Sequence, residues 1–120
     1  MRAVRSTREQ MSIEKLIEEL ATSNGEILDS LRATHGDKVV MMTDHLVLMG
    51  GLIGVMAAFM PREVVDAVRA SLINDISAGF ARGIGIEVDQ LDVAMKMSLS
   101  IIRRNTQASI TITKEINGNG

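Results

Sequence analysis

The stretch from Val39 to Met60 constrains the fold of this chain most strongly. It reads VVMMTDHLVLMGGLIGVMAAFM and is the most apolar segment of the sequence. At about 100° per residue, its small residues fall on one side of a helix and its large apolar residues cover the other side. A helix that is apolar nearly all round is typical of one buried on both sides. We therefore predict an apolar central helix, 38–59, with the other helices packed around it.

The small side of this helix carries Gly50, Gly51 and Gly54. Each glycine costs about 1 kcal/mol of helix propensity relative to alanine, and close packing against another backbone is the simplest compensation. The large side is rich in methionine and includes Met49 and Met56. Methionines fill gaps in a core, but they also form adaptable surfaces that repack around different partners. The sequence is compatible with both interpretations of the methionines.

A membrane span is the main alternative for the same stretch. Gly50 and Gly54 form a GxxxG pair, which is known from dimers of membrane helices. The uninterrupted apolar run from Leu46 to Met60 is about 22 Å long as a helix, shorter than a hydrocarbon core of about 30 Å. A span of 39–60 reaches the necessary length only by including Asp44 and His45. We therefore predict a soluble, cytoplasmic protein.

Composition excludes several classes of function. The chain has 120 residues, enough for a single domain, 1–120. Its net charge of −2 and its lack of Trp and Tyr argue against nucleic acid as a partner. It contains no cysteine, which excludes disulfides and thiol chemistry and fits a cytoplasmic location.

The first helix carries a heptad pattern. Thr7 and Gln10 form a capping box at its start. Apolar residues then repeat in steps of four and three, with Asn24 at a seam position; the seam comprises Ile13, Ile17, Leu20, Asn24, Ile27 and Leu31. A seam Asn often fixes register and oligomeric state, so we predict that this helix contributes to self-association. Because Asn24-Gly25 is also a turn signal, a break in the helix at this point remains an alternative.

Glycine and proline divide the rest of the chain. Gly36 suits the left-handed position that closes a helix, and Asp37 suits the N-cap of the next one. Pro61 suits the first turn of a third helix. The predicted inner stripe of this third helix comprises Val65, Val68, Leu72, Ile76 and Phe80, and the predicted end of the helix comprises Gly79, Gly83 and Gly85.

The last helix has Asp89 as its predicted N-cap. Its predicted inner face comprises Leu91, Met95, Ser98 and Ile102. The alternating, β-branched residues 109–113 favour a strand, and 84–88 alternates as well. These two segments could pair with each other or with a second subunit, or 109–113 could extend the helix. We predict an all-α fold of about four helices with a short extended C-terminal segment, and disorder at 1–6 and 114–120.

No catalytic, cofactor or metal site is predicted. Asp44 and His45 are adjacent and point about 100° apart on a helix, so they cannot form a mutual dyad. They either form hydrogen bonds or ion pairs with neighbouring helices of the same chain or form a pH-sensitive contact with a partner. Asp37 and Asp44 share a helix face, but no histidine joins them at metal-ligand spacing. The segment 79–85 is rich in glycine but lacks both GxGxxG and the lysine of a P-loop.

The predicted function is that of a small, non-enzymatic helical protein that forms a homodimer or higher oligomer. It binds a protein partner as a regulator, inhibitor or adaptor, by analogy with accessory proteins of phages and plasmids. The predicted interface residues are Asn24, Asp44, His45, Met49, Gly50, Gly51, Gly54 and Met56. One alternative is a membrane protein of the holin type with a span near 39–60. The other is a helical enzyme whose site forms only in the oligomer.

Overall fold

The computed structural model describes the backbone of residues 7–117 and the side chains of 13–114, 116 and 117. Its helices are α1 (Thr7–His35), α2 (Asp37–Phe59), α3 (Arg62–Ser71), α4 (Ala78–Ile84) and α5 (Val88–Asn117). A π-helical segment, Leu72–Ser77, joins α3 to α4 without a break, so these three elements form one continuous rod. The predicted all-α fold of about four helices is confirmed, and no strand occurs among residues 7–117.

The turn signal at Asn24-Gly25 does not break the first helix. α1 runs through both residues to His35. The Nδ2 atom of Asn24 donates a hydrogen bond of 2.8 Å to Oδ1 of Asn105 on α5. This contact and the packing of α1 against α5 offset the cost of about 1 kcal/mol for a glycine inside a helix.

Gly36 is the single residue between α1 and α2. Its φ of 93° and ψ of 176° differ from the predicted left-handed helical conformation, but this positive φ is also one that favours glycine. Its backbone N–H donates to the carbonyl of Arg32 at 2.9 Å, which closes α1. Gly36, not Asp37, is the N-cap of α2. Asp37 is the first residue of α2 and forms an ion pair with Arg32, whose Nε lies 3.0 Å from its Oδ1.

The predicted extended segment at the C-terminus is wrong. α5 continues through 109–113 and on to Asn117, so 114–117 is helical as well; 1–6 and 118–120 lie outside the described residues. The hydroxyls of Thr111 and Thr113 each donate to the carbonyl four residues earlier, at 3.0 and 2.8 Å. Such bonds let β-branched threonines sit in a helix. The segment 84–88 is not extended either, because Gly85 caps α4 in the left-handed conformation and α5 starts at Val88.

The π-helical segment shifts the register of the third rod. Ile76 was predicted to face inward but is 50% exposed, whereas the neighbouring Ser77 is buried at 4%. A π-turn holds one residue more than an α-turn, so the residue that meets the core moves by one position. The predicted glycine stop is also partly wrong: α4 passes through Gly79 and Gly83 and ends at Gly85.

The core lies at one end of α2. Its buried residues are Leu31, Val39, Val40, Met42 and Ala94. α2 contacts α1, α5 and all three parts of the third rod, which confirms its central position. The expectation that α2 is buried on both sides is wrong within the single chain, because every buried residue of α2 lies between Val39 and Thr43.

The overall shape explains this incomplete burial. The chain measures 52 × 39 × 16 Å, and its radius of gyration is 17.3 Å. A compact domain of this length has a radius of gyration of about 14 Å. With helix axes about 8–10 Å apart, a thickness of 16 Å holds at most two layers of helices. One side of α2 therefore stays at the surface of the slab.

Candidate functional site

His45 connects α2 to the third rod. Its Nε2 and the Oγ of Ser77 share a hydrogen bond of 3.0 Å, in which the tautomer decides the donor. Its ring also stacks on Phe80, with ring centroids 4.3 Å apart and planes 5° from parallel. Of the residues that the structure describes, the other two buried polar ones are Thr43 and Ser98, and both bond carbonyls of their own helices. Ser77 instead bonds across to another helix, and sequence reasoning missed it because only the π-helical segment turns it inward.

The chemistry of this pair favours a structural contact over catalysis. A serine hydroxyl acts as a nucleophile when a base takes its proton and a third group orients that base. Ser77 and His45 have the first relation, but no side chain among the described residues hydrogen-bonds the other ring nitrogen of His45 to orient it. Asp44, the nearest carboxylate in sequence, is exposed on another side of α2. The pair therefore fixes the third rod against α2.

Burial gives His45 a defined protonation state. Removal from water lowers the pKa of His45 below its ordinary value of 6.5, because the charged form loses hydration. The neutral imidazole therefore predominates at pH 7, and it can either donate to or accept from the Ser77 hydroxyl.

The lowered pKa of His45 predicts a pH dependence of folding. Because the unfolded chain takes up this proton more readily, the contribution of His45 to stability is complete above about pH 6.5 and is lost as the pH falls through the folded-state pKa. We expect the free energy of unfolding of the wild type to fall more steeply between about pH 7.5 and about pH 5 than that of His45→Gln. Urea denaturation at both pH values measures the difference.

The second histidine of the chain supplies the control for this prediction. His35→Gln makes the same substitution at an exposed position at the end of α1 and is measured alongside as the matched variant. Equal slopes for His45→Gln and the wild type would contradict a burial-linked proton on His45.

A groove opens between α2, the third rod and α5. It has a volume of about 310 Å³ and is almost wholly apolar. Its lining comprises Met42, Leu46, Ile73, Asn74, Ser77, Ala78, Ala81, Leu91 and Met95. Ile73 and Met95 at its mouth are 49% and 51% exposed. The π-helical segment forms one wall, as such segments often do at functional sites.

The three glycines of α2 differ in their surroundings. A Cβ added to Gly50 would lie 2.6 Å from Cδ1 of Ile102 on α5, so a side chain, and not the backbone expected from the sequence, packs closely against this glycine. A Cβ added to Gly51 or Gly54 would meet no atom within 4 Å. These two glycines line an open groove beside α5. The small face therefore packs tightly within the chain at one position only.

Asn24 has a partner within its own chain. Asn24 bonds Asn105 on α5, and the adjacent Ser23 accepts a hydrogen bond from the guanidinium of Arg104 on the same helix. The Oδ1 of Asn24 is buried and has no hydrogen-bond partner in the described part of the chain. At this position the heptad seam of α1 therefore faces α5 of the same molecule.

The open side of α2 carries a row of large apolar residues, here called the apolar strip. It comprises Met41 (46% exposed), Leu48 (62%), Leu52 (45%), Val55 (61%) and Phe59 (84%). At about 100° per residue these five side chains fall within about 60° of one another. Asp44 borders the strip and is exposed, whereas His45, Met49 and Met56 are half-buried. Of the predicted interface residues, Asp44 and Gly51 thus lie nearest the open side.

Helix α2 also meets the length and composition of a membrane span. Among the described residues it is the one helix with these properties, and 22% of its apolar window is buried.

No group of three His, Cys, Asp or Glu residues among those described is placed to hold a metal ion. No protein family model, curated protein or solved structure matches the chain.

Proposed function

We propose that this chain is a non-enzymatic, cytoplasmic helical protein that self-associates and binds a protein partner as a regulator, inhibitor or adaptor. The observation that supports this function best is the apolar strip on α2. Monomeric soluble proteins rarely leave large contiguous apolar patches open to water, and such patches mark sites of protein or membrane interaction.

The groove beside the π-helical segment is suited to the protein partner. It lies on the side of α2 away from the apolar strip, so self-association through the strip leaves it open. Its apolar lining favours a partner helix that presents Leu, Ile or Met side chains. Met42 and Met95 supply flexible side chains that adapt to the shape of such a helix.

A membrane protein of the holin type is the second candidate, because α2 is long and apolar enough to cross a bilayer. Two features weigh against it. Asp44 borders the open side, and an aspartate inside a bilayer costs about 2.5–3.5 kcal/mol on insertion scales. The bond between His45 and Ser77 also attaches α2 to a rod whose exposed surface carries Arg62, Asp66 and Arg69. Spanning would require this contact to separate.

Light scattering tests the proposed self-association. We expect the wild type at micromolar concentration to show at least twice the chain mass of 13.0 kDa. A mass of 13.0 kDa across the micromolar range would contradict self-association. Recovery only from carbonate-washed membranes would support the holin-type alternative.

A matched capture experiment tests the partner. Immobilised wild type and Ile73→Asp, which places a charge at the mouth of the groove, are compared for proteins retained from the native host. We expect a specific protein to be retained by the wild type and lost with Ile73→Asp, while the mass of the variant by light scattering is unchanged. Val88→Asp is the control, since Val88 is 85% exposed and lies outside the groove. Equal retention by all three would contradict the assignment of the groove.

A further inference from the structure

We infer that the apolar strip of α2 binds the same strip of a second copy, with the two α2 helices antiparallel. The two-fold axis passes level with Gly50, midway between Met41 and Phe59. This inference rests on the self-association in the proposed function and specifies its surface and geometry.

The spacing of the strip is that of a helix-pairing seam. From Met41 to Phe59 the steps between strip residues are seven, four, three and four. Alternation of four and three is the repeat by which two helices interlock their side chains. A lipid environment requires no such repeat, so the spacing favours a helix as the occupant. A second copy presents a surface of the same shape and the same apolar character.

The chain exposes enough surface for such a dimer. The chain exposes 8310 Å², whereas a compact monomer of 13.0 kDa exposes about 6,300 Å². The excess is about 2,000 Å². Each partner in a stable interface of standard size contributes about 800 Å². A two-fold contact along the strip is therefore within the area that the slab leaves uncovered.

The position of Asp44 decides the orientation. In a parallel pair the two Asp44 carboxylates lie at the same level, across helix axes about 8–10 Å apart, beside an apolar contact that excludes water. In an antiparallel pair they lie about 18 Å apart along the axis, beyond a Debye length of about 8 Å at physiological salt. Repulsion between the two carboxylates is therefore weaker in the antiparallel pair.

The antiparallel register also pairs four of the five large side chains of the strip. Met41 of one copy lies level with Phe59 of the other, and Leu48 lies level with Leu52. Gly51 lies one residue from the level of the axis, at the edge of the strip, where an added Cβ would meet nothing within 4 Å. This open position gives the two backbones room to approach.

Disulfide trapping distinguishes the orientations, because the chain contains no cysteine of its own. Met41→Cys and Phe59→Cys are oxidised singly and as an equimolar mixture, and covalent dimers are counted on a non-reducing gel. We expect cross-linking in the mixture and little in either variant alone, because like positions lie about 27 Å apart in the antiparallel pair. Val88→Cys, at an exposed site off the strip, gives the level of random collision when it is mixed with either variant.

Each alternative result has a distinct meaning. Strong cross-linking of Met41→Cys with itself and of Phe59→Cys with itself would overturn the antiparallel geometry. Cross-linking no greater than that of Val88→Cys, in a wild type that is dimeric by light scattering, would overturn the strip as the contact. A wild type that is monomeric by light scattering would overturn the proposed self-association itself.

A charge on the strip provides a second measurement. Leu52→Asp should raise the dissociation constant at least about a hundredfold, because the carboxylate would be buried without a partner. Val88→Asp should leave the dissociation constant unchanged. Circular dichroism checks that Leu52→Asp keeps its helical content, and a folded Leu52→Asp with the dissociation constant of the wild type would overturn the inference.

Discussion

Met42→Ala should lower the free energy of unfolding by about 2–5 kcal/mol, the usual cost of truncating a fully buried methionine. Met42 is 2% exposed and belongs to the core cluster with Leu31, Val39, Val40 and Ala94. The loss combines the transfer free energy of the missing atoms with that of the cavity they leave. Urea denaturation monitored by circular dichroism measures it.

The adjacent Met41→Ala is the matched control for this change. It removes the same atoms from a side chain that is 46% exposed on the open side of α2. In solution dilute enough to keep the chain monomeric, it should change the free energy of unfolding by no more than about 0.5 kcal/mol. If the two variants were equally stable, the core would not lie where the structure places it.

Gly50→Leu should also destabilise the fold. A Cβ on Gly50 would lie 2.6 Å from Cδ1 of Ile102, so a leucine must displace the Ile102 side chain and also fit its own larger side chain between α2 and α5. Overpacking of this kind typically costs about 1–3 kcal/mol. It outweighs the gain of about 1 kcal/mol or less in helix propensity when glycine is replaced. The midpoint and slope of urea denaturation give the net loss.

Gly25→Leu separates the packing effect from helix propensity. Gly25 is exposed inside α1, and an added Cβ meets nothing within 4 Å. This variant should be as stable as the wild type or slightly more stable, by up to about 1 kcal/mol. A Gly50→Leu variant that matches Gly25→Leu in stability would contradict the close approach of α2 to α5.

The helices and the breaks between them could be predicted from local chemistry. Gly36 and Pro61 act on the backbone within one or two residues, so their effect is readable without knowledge of the fold. The pairs of Arg62 with Asp66 and of Asp66 with Arg69 follow from helical spacing alone and are present, at 3.9 and 3.7 Å.

Features that depend on tertiary contacts were beyond such reasoning. Ser77 faces His45 only because the π-helical segment adds a residue to one turn, and a 3.6-residue period places Ile76 there instead. Residues 109–113 look like a strand because they are β-branched, but α5 carries them as a helix whose threonines bond their own backbone. Tertiary context overrides weak local preference at both places.

The same limit applies to the sides of α2. Its sequence is apolar nearly all round, so the pattern could not show which side α1, α5 and the third rod leave open. The glycines were grouped as one close-packed face, but only Gly50 has a close neighbour. Packing of three neighbours around α2 decides where the open side lies.

The confinement of the core to one end of α2 has an energetic consequence. Backbone around Val39–Thr43 can open only when the core itself comes apart, whereas the half of α2 that follows Gly50 lacks buried residues to hold it closed. Local opening of that second half then requires less free energy than unfolding of the whole chain. If a second copy covers it, the free energy that keeps it closed grows with the logarithm of protein concentration. The stability of the first half of α2 would then depend on its own sequence, and the stability of the second half would depend on the protein concentration.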